Sequence, residues 1–359
     1  MSDDASLNLF QQQEANRRRT TWLVIGFVLF FAWLGFGGDW ILARSTAGAG
    51  PEAYRHTFPW LGLVLSTLGA GIAAYAYRTG PEKVLWATGA RELLTPATDE
   101  ERRLVNVVEE MAIAAGVPRP RIWVVPDDDP NAFATGLDPS RAHLAVTRGL
   151  LGICNRDELQ AVVAHEIGHI RNLDVRLMTT LAALVGAVAL IQDGMGRFLR
   201  SGGGRLLGGG GGGGGGGGRG KKSGAGPLIA LLLVLWLVSW LIAPLITQLL
   251  ALAVSRKREY LADASGAQFT RNPLALASAL QKIEAAHQPT RKITRGAAHL
   301  CIADPLGRRL TNREGLFADA FATHPPMAKR IARLRGMGYA QLKREQGAQV
   351  GHEGAQGAT

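Results

Sequence analysis

Apolar positions along this chain follow two rhythms. In four places they run on without a charge: within 20–43, where Thr20 to Gly38 is uninterrupted, and over 57–77, 177–192 and 227–254. A bilayer-crossing helix needs about 20 apolar residues, so the first, second and fourth runs predict spans, and the 16-residue third run is short for one. Elsewhere the pattern alternates. Thr98 to Glu101 predicts a capping box opening an amphipathic helix to about Ala115, and Arg121 to Val125 (RIWVV) predicts a strand. Asn131–Thr135 and Ala142–Thr147 predict two more short strands, joined through Gly136 and Asp138-Pro139, so a small antiparallel sheet is expected. Asn155, with Glu158 three residues on, caps a helix whose apolar face is Val162, Val163, Ile167 and Ile170. Asn272-Pro273 opens an alanine- and leucine-rich helix to about His287, and Thr323-His324-Pro325-Pro326 opens another that carries Arg330, Ile331 and Leu334.

These elements divide the chain into a polar N-terminal tail (1–19), two spans (20–43 and 57–77) and the first part of a folded domain (78–176). A possible third span (177–192), a glycine-rich basic loop (193–226) and a further span (227–254) follow. The second part of the domain is 255–340, and 341–359 reads as a disordered tail. Arg17, Arg18 and Arg19 before the first span, and Arg78 after the second, place the folded domain in the cytoplasm. The second hairpin is ambiguous, because its loop carries Arg197, Arg200, Arg205, Arg219, Lys221 and Lys222. The Gly208–Gly218 run lacks the lysine and hydroxyl residue of a phosphate-binding loop and is expected to be a flexible insertion.

Composition narrows the partners. The chain has 359 residues, 47% of them hydrophobic, with net charge +11, and its mean hydropathy is positive. No basic helix with interleaved aromatics points to nucleic acid, so an anionic membrane surface is the simpler partner. Cys154 and Cys301 stand far apart, which excludes a disulfide framework and a cysteine metal site.

Candidate chemistry centres on His165-Glu166-Ile167-Gly168-His169, an HExxH pattern. On a helix of about 3.6 residues per turn the two histidines share a face and both imidazoles reach one metal ion. Glu166 lies about 100° around the helix, beside the metal, where its carboxylate can take a proton from water and pass it to a leaving amine. A catalytic zinc takes three protein ligands. The metzincin position is Val175, and the thermolysin-like and aminopeptidase-like spacings fall on Ala189 and Val188, so none of these serves. Asp174 and Asp193 are the only acidic residues between His169 and Arg258, and Glu259 in SRKREYLADASGA is the first good candidate. Asp263, four residues later on the same face, is placed to hold a ligand histidine by its second nitrogen.

The stretches HEIGHIRNLD and SRKREYLADASGA, NAFATG followed by VTRGLL, and THPP with Arg330 beyond it occur in an order that resembles the membrane-anchored M48 zinc endopeptidases, in their HtpX-like heat-shock branch. The resemblance covers most of Thr21 to Gly338. It implies an α+β fold: a mainly helical zincin domain of the gluzincin kind with a small antiparallel sheet, plus two to four transmembrane helices. It also implies one zinc per chain on His165, His169 and Glu259. Asn131, Ala132 and Phe133 would form an edge strand that pairs with extended substrate, and His324 and Arg330 would lie near the zinc to stabilise an oxyanion. The implied role is quality control, the cleavage of unfolded or damaged membrane proteins at the cytoplasmic face of a bacterial inner membrane. The glycine run departs from the family's short connection.

Two rival functions are weighed against this. A site-2-type intramembrane protease would carry its HExxH within a span, yet Asn155-Arg156-Asp157-Glu158 and Arg171-Asn172 flank the motif here with polar groups. A silent zinc-binding adaptor would have no use for Glu166. Specific substrates and oligomeric state are not written in the sequence.

Overall fold

The computed structural model describes residues 2–46, 55–198, 256–286, 300–303 and 325–356. His324, the glycine run and the expected 227–254 span lie outside these. The chain divides into two units, one of Met1–Thr20, Thr79–Ala183 and Leu250–Thr359, the other of Thr21–Arg78 and Leu184–Leu249.

Helices α1 (Ser2–Thr46) and α2 (Trp60–Ala87) are long and apolar enough to cross a membrane. They contain most of the expected 20–43 and 57–77 segments. The polar stretch 1–19 is not a separate tail, since the same helix runs through it from Ser2. Within the second unit, Asp39 at the far end of α1 accepts the Gly62 amide at 2.6 Å and the Leu61 amide at 3.1 Å, and lies 2.6 Å from His56 Nε2. A carboxylate on the first-turn amides of α2 satisfies donors that have no partner inside the helix.

The first unit contains the sheet: β1 (Arg91–Glu92), β2 (Arg121–Val125), β3 (Ala132–Gly136) and β4 (Ala142–Thr147), in spatial order β1-β2-β4-β3. Helix α3 (Asp99–Ala115) comes between β1 and β2. The sheet is mixed, which corrects the antiparallel expectation. β3 and β4 do form the expected antiparallel hairpin. β4, however, inserts between β3 and β2 and so runs parallel to β2, from Arg121↔His143 to Val125↔Thr147. Three of the four strands were legible from their composition and the turn residues around them, and the two-residue β1 was not; the order depends on which edge the hairpin joins.

Caps explain where the helices begin. Thr98 Oγ1 accepts the Glu101 amide at 3.3 Å, and the Glu101 carboxylate reaches the Ala97 amide at 2.8 Å, one residue before the position a capping box would use. At Asn155 the full box is present, with both bonds to Glu158 at 2.9 Å. It opens α5 (Arg156–Arg171), which follows the short α4 (Arg148–Ile153) and precedes α6 (Asp174–Phe198). Asn272 caps α8 (Pro273–Ala285), next to α7 (Arg256–Thr270), by accepting the Ala275 amide at 3.1 Å. The last helix, α9 (Met327–Gln356), carries through most of the 341–359 segment that was expected to be disordered. Helix-favouring Ala, Gln, Leu, Lys and Arg residues supply the local preference there.

Helix α5 packs against α3, α7, α8 and β3. Every residue from Ala161 to Gly168 is buried, so the helix is enclosed on all sides and not only along the face its apolar residues mark. Two glycines set its distance from α7. A Cβ on Gly266 would stand 3.1 Å from the His165 backbone nitrogen, and one on Gly168 would stand 3.2 Å from Ser265 Cβ. This close crossing brings the acidic residues of α7 to the histidines of α5.

Candidate metal centre and active site

His165 and His169, one turn apart on α5, present their rings at right angles with centroids 4.8 Å apart. Glu259, in the first turn of α7, meets both: its carboxylate oxygens lie 3.9 Å from His165 Nε2 and 3.6 Å from His169 Nε2. One ligand atom from each of the three residues falls within 4.8 Å of the others, so the group could hold a metal ion.

The outward-facing nitrogens are engaged as well. His165 Nδ1 lies 3.0 Å from Asp263 Oδ1, the contact expected of Asp263. His169 Nδ1 lies 3.0 Å from Asp174 Oδ2, a partner that sequence reasoning did not assign. A carboxylate beside Nδ1 favours placing the lone pair of the neutral ring on Nε2, the nitrogen turned toward Glu259 and the one a metal ligand requires. Asp174 reaches His169 because Leu173, with φ 59°, turns the chain sharply between α5 and α6.

Electrostatics follow from burial and crowded charge. His165 has a lowered pKa because burial disfavours the imidazolium, with Asp263 opposing. Burial acts the same way on His169, but Asp174, Glu259 and Glu166 outweigh it and lift the value to about 9. Asp263 is raised by burial and lowered more by Arg330, ending at about 2. Glu166 is pushed up to about 7, chiefly by burial. Its two oxygens are enclosed without a full hydrogen bond, and the Ala134 backbone opposes the shift only weakly. Four buried carboxylates outnumber the buried guanidiniums of Arg258 and Arg330, and a proton on His169, or a cation between the rings, offsets the excess.

Arg330 reaches the site from α9 and is fully buried. It donates to Asp263 Oδ1 from Nη2 at 2.7 Å, to Asp263 Oδ2 from Nε at 3.0 Å, and to the Ile302 carbonyl from Nη1 at 2.8 Å. Its remaining approaches are 3.5 Å to Glu259 and 3.5 Å to His165. The expected oxyanion donor is therefore a guanidinium already committed to the groups behind the ligands.

Asn131, Ala132 and Phe133 are fully buried. Asn131 Nδ2 donates to the Ala303 carbonyl at 2.9 Å, and the Ile302 amide donates to the Ala132 carbonyl at 2.9 Å. Phe133 pairs with Cys301 in an antiparallel bridge. The outer edge of β3 that was expected to receive substrate is thus occupied here by the chain's own residues 300–303. Beside the histidines, among the described residues, lies a narrow cleft of about 20 Å³ whose lining includes Ala134, Glu166, Met178, Arg258, Glu259 and Leu300.

Residues 98–338 match the model of peptidase family M48. A protein named protease HtpX homolog from Streptococcus gordonii is 36% identical over 92% of this chain and 100% of its own length. A Thermoanaerobacter pseudethanolicus protein of the same name is 38% identical over 92% of this chain and 98% of its own. One from Dictyoglomus turgidum is 37% identical over 92% and 95%. Among solved structures, the crystal structure of S. mikatae Ste24p aligns with a TM-score of 0.43 at 17% identity, covering 91% of this chain and 67% of that one. With the family model spanning the whole metal centre and full-length relatives above 30% identity, the chain belongs to peptidase family M48, among the HtpX homologs.

Proposed function

We propose that this chain is a membrane-anchored zinc endopeptidase that hydrolyses peptide bonds of unfolded or damaged proteins. The observation that carries the reading is the convergence of His165, His169 and Glu259 within 4.8 Å, beside a buried Glu166 carboxylate that no other group fully engages. Two imidazoles and one carboxylate form a donor set suited to zinc, and both imidazoles have the outer partner that such sites use. His165, His169 and Glu259 would hold the zinc ion, which would supply Lewis acidity toward a peptide carbonyl and water.

The remaining work falls to the chain's own residues. Glu166, whose pKa of about 7 lets it exchange a proton near neutrality, takes one from water and delivers it to the departing amine. Asp263 and Asp174 hold His165 and His169 in register, and Arg330 fixes Asp263. We assign the cleft wall formed by Ala134 and Leu300, in place of Asn131 to Phe133, as the surface an extended peptide meets. His324 retains the oxyanion role implied by the family. In this reading α1 and α2 span a bacterial inner membrane with the catalytic unit on the cytoplasmic side, where Arg17 to Arg19 and Arg78 would keep it. Anchoring raises the local concentration of a site that acts on membrane-confined substrates.

Cleavage of an unfolded protein by the detergent-purified chain, beside Glu166→Gln with zinc measured in both, tests this function. The reading expects zinc in both proteins and cleavage only by wild type. Folded, zinc-loaded wild type that cut no more than the variant would favour a silent zinc-binding adaptor.

A further inference from the structure

We infer that Asn16 is a positioning residue for the metal centre, acting through Asp174 on His169. The inference rests on the zinc-site reading above.

Asn16 lies on α1 ahead of the apolar stretch, yet it is fully buried. Its Nδ2 donates to Asp174 Oδ1 at 2.7 Å and to the Asn172 carbonyl at 3.1 Å. Three residues earlier, Gln13 Nε2 donates to the Arg171 carbonyl at 2.7 Å, so two amide side chains of α1 grip the turn between α5 and α6. Asp174 is 1% exposed and spends its other oxygen on His169 Nδ1 at 3.0 Å. A carboxylate bonded through one oxygen can still swing about its Cβ–Cγ bond. Bonded through both, it cannot turn without breaking one contact, and the imidazole it holds is fixed with it.

The residue type suits that duty. An amide fills the second oxygen of Asp174 without adding a further charge to a carboxylate that already attracts His169 and the buried Arg258. Arginines were available in the next three positions, and those side chains are exposed. The consequence is that one residue of the segment before the first apolar run, Asn16, supports the metal centre. Because α1 continues without a break into that run, the helix that anchors the chain also sets the angle of a metal ligand.

The experiment is zinc affinity of the full-length, detergent-purified chain, read by competition with a chromophoric chelator, for wild type, Asn16→Ala, Asp174→Ala, the double variant and Gln13→Ala. Loss of a carboxylate holding a metal-bound histidine weakens binding about 10- to 100-fold, so Asp174→Ala should fall in that range and Asn16→Ala should lose less, but at least about threefold. In the Asp174→Ala background, Asn16→Ala should change nothing further, because the group it acts through is gone. Gln13→Ala, which loosens the same helix without touching Asp174, should bind zinc like wild type. Unchanged affinity in Asn16→Ala would overturn the inference. So would an equal loss in the Asp174→Ala background, or a loss in Gln13→Ala as large as in Asn16→Ala. If Asn16→Ala does not purify folded, Asn16→Ser keeps a polar group there but withdraws it from Asp174, and wild-type affinity in that variant would overturn the inference too. Wild type that bound no zinc would contradict the metal-site reading instead.

Discussion

Asp263 grips Arg330 through both carboxylate oxygens, at 2.7 and 3.0 Å, and the same Oδ1 lies 3.0 Å from His165 Nδ1. The pair is buried on both sides, so neither charge has water to fall back on. Removing one partner of a buried ion pair costs about 3–5 kcal/mol, since the other is left unpaired. Arg330→Ala should therefore destabilise the fold by an amount of that order and loosen zinc. Arg330→Lys should rescue only part of the loss, because an ammonium cannot bond both Asp263 oxygens and the Ile302 carbonyl in a planar fork. Denaturant unfolding of the three proteins, with zinc affinity measured in parallel, checks both statements. Arg330→Lys matching wild type in both would show that charge alone suffices.

The α5–α7 crossing predicts a contrast between two glycines. At Gly266 an added methyl meets the His165 backbone, which cannot give way as a side-chain tip can. Gly266→Ala should force α7 away from α5 and cost about 1–3 kcal/mol, as overpacked cores do. Zinc affinity should fall with it, because Glu259 moves with α7. Gly336 lies exposed within α9, and a Cβ there meets nothing within 4 Å. Gly336→Ala should stabilise by about 0.5–1 kcal/mol through helix preference alone. Thermal unfolding of the two variants tests the opposite signs.

Glu158 gives a prediction in pH. Burial raises its pKa, but Lys282 at 2.7 Å, Ser278 at 2.7 Å and the Asn155 amide outweigh that, and the net shift is downward from 4.5. A carboxyl whose folded pKa is depressed contributes stability that is present above its unfolded value and lost as pH falls through the folded one. Wild type should therefore exceed Glu158→Gln in melting temperature at neutral pH. The gap should narrow as pH drops below about 4.5. A gap constant down to pH 3 would mean that Glu158 acts through shape and not charge.

Much of the candidate site was legible because it is local. The histidines and Glu166 share one helix, and Glu259 and Asp263 share another, so helical periodicity places each set. What periodicity cannot supply is the turn that follows α5. Asp174 meets His169 only because Leu173 adopts a left-handed conformation, which few non-glycine residues take and no local pattern announces. Asn16 was read as part of a polar tail, because its contact lies 158 residues away. The hold of Arg330 on Asp263 had no local signal, since that acidic partner is 67 residues earlier and its burial is a tertiary fact. The strand expected from Asn131 is present and begins one residue later, at Ala132. That residues 300–303 would lie along that strand's edge had no signal in either segment.

The central claim is that His165, His169 and Glu259 together hold one zinc ion. Zinc per chain, determined by metal analysis after exhaustive dialysis, tests it most directly in wild type, His169→Ala and Glu259→Gln, with Glu284→Gln, a change in α8 outside the candidate group, as control. The account predicts one zinc per chain in wild type and control, and a small fraction of that in the other two. Full zinc in Glu259→Gln would contradict it, because the carboxylate that closes the site would then be dispensable.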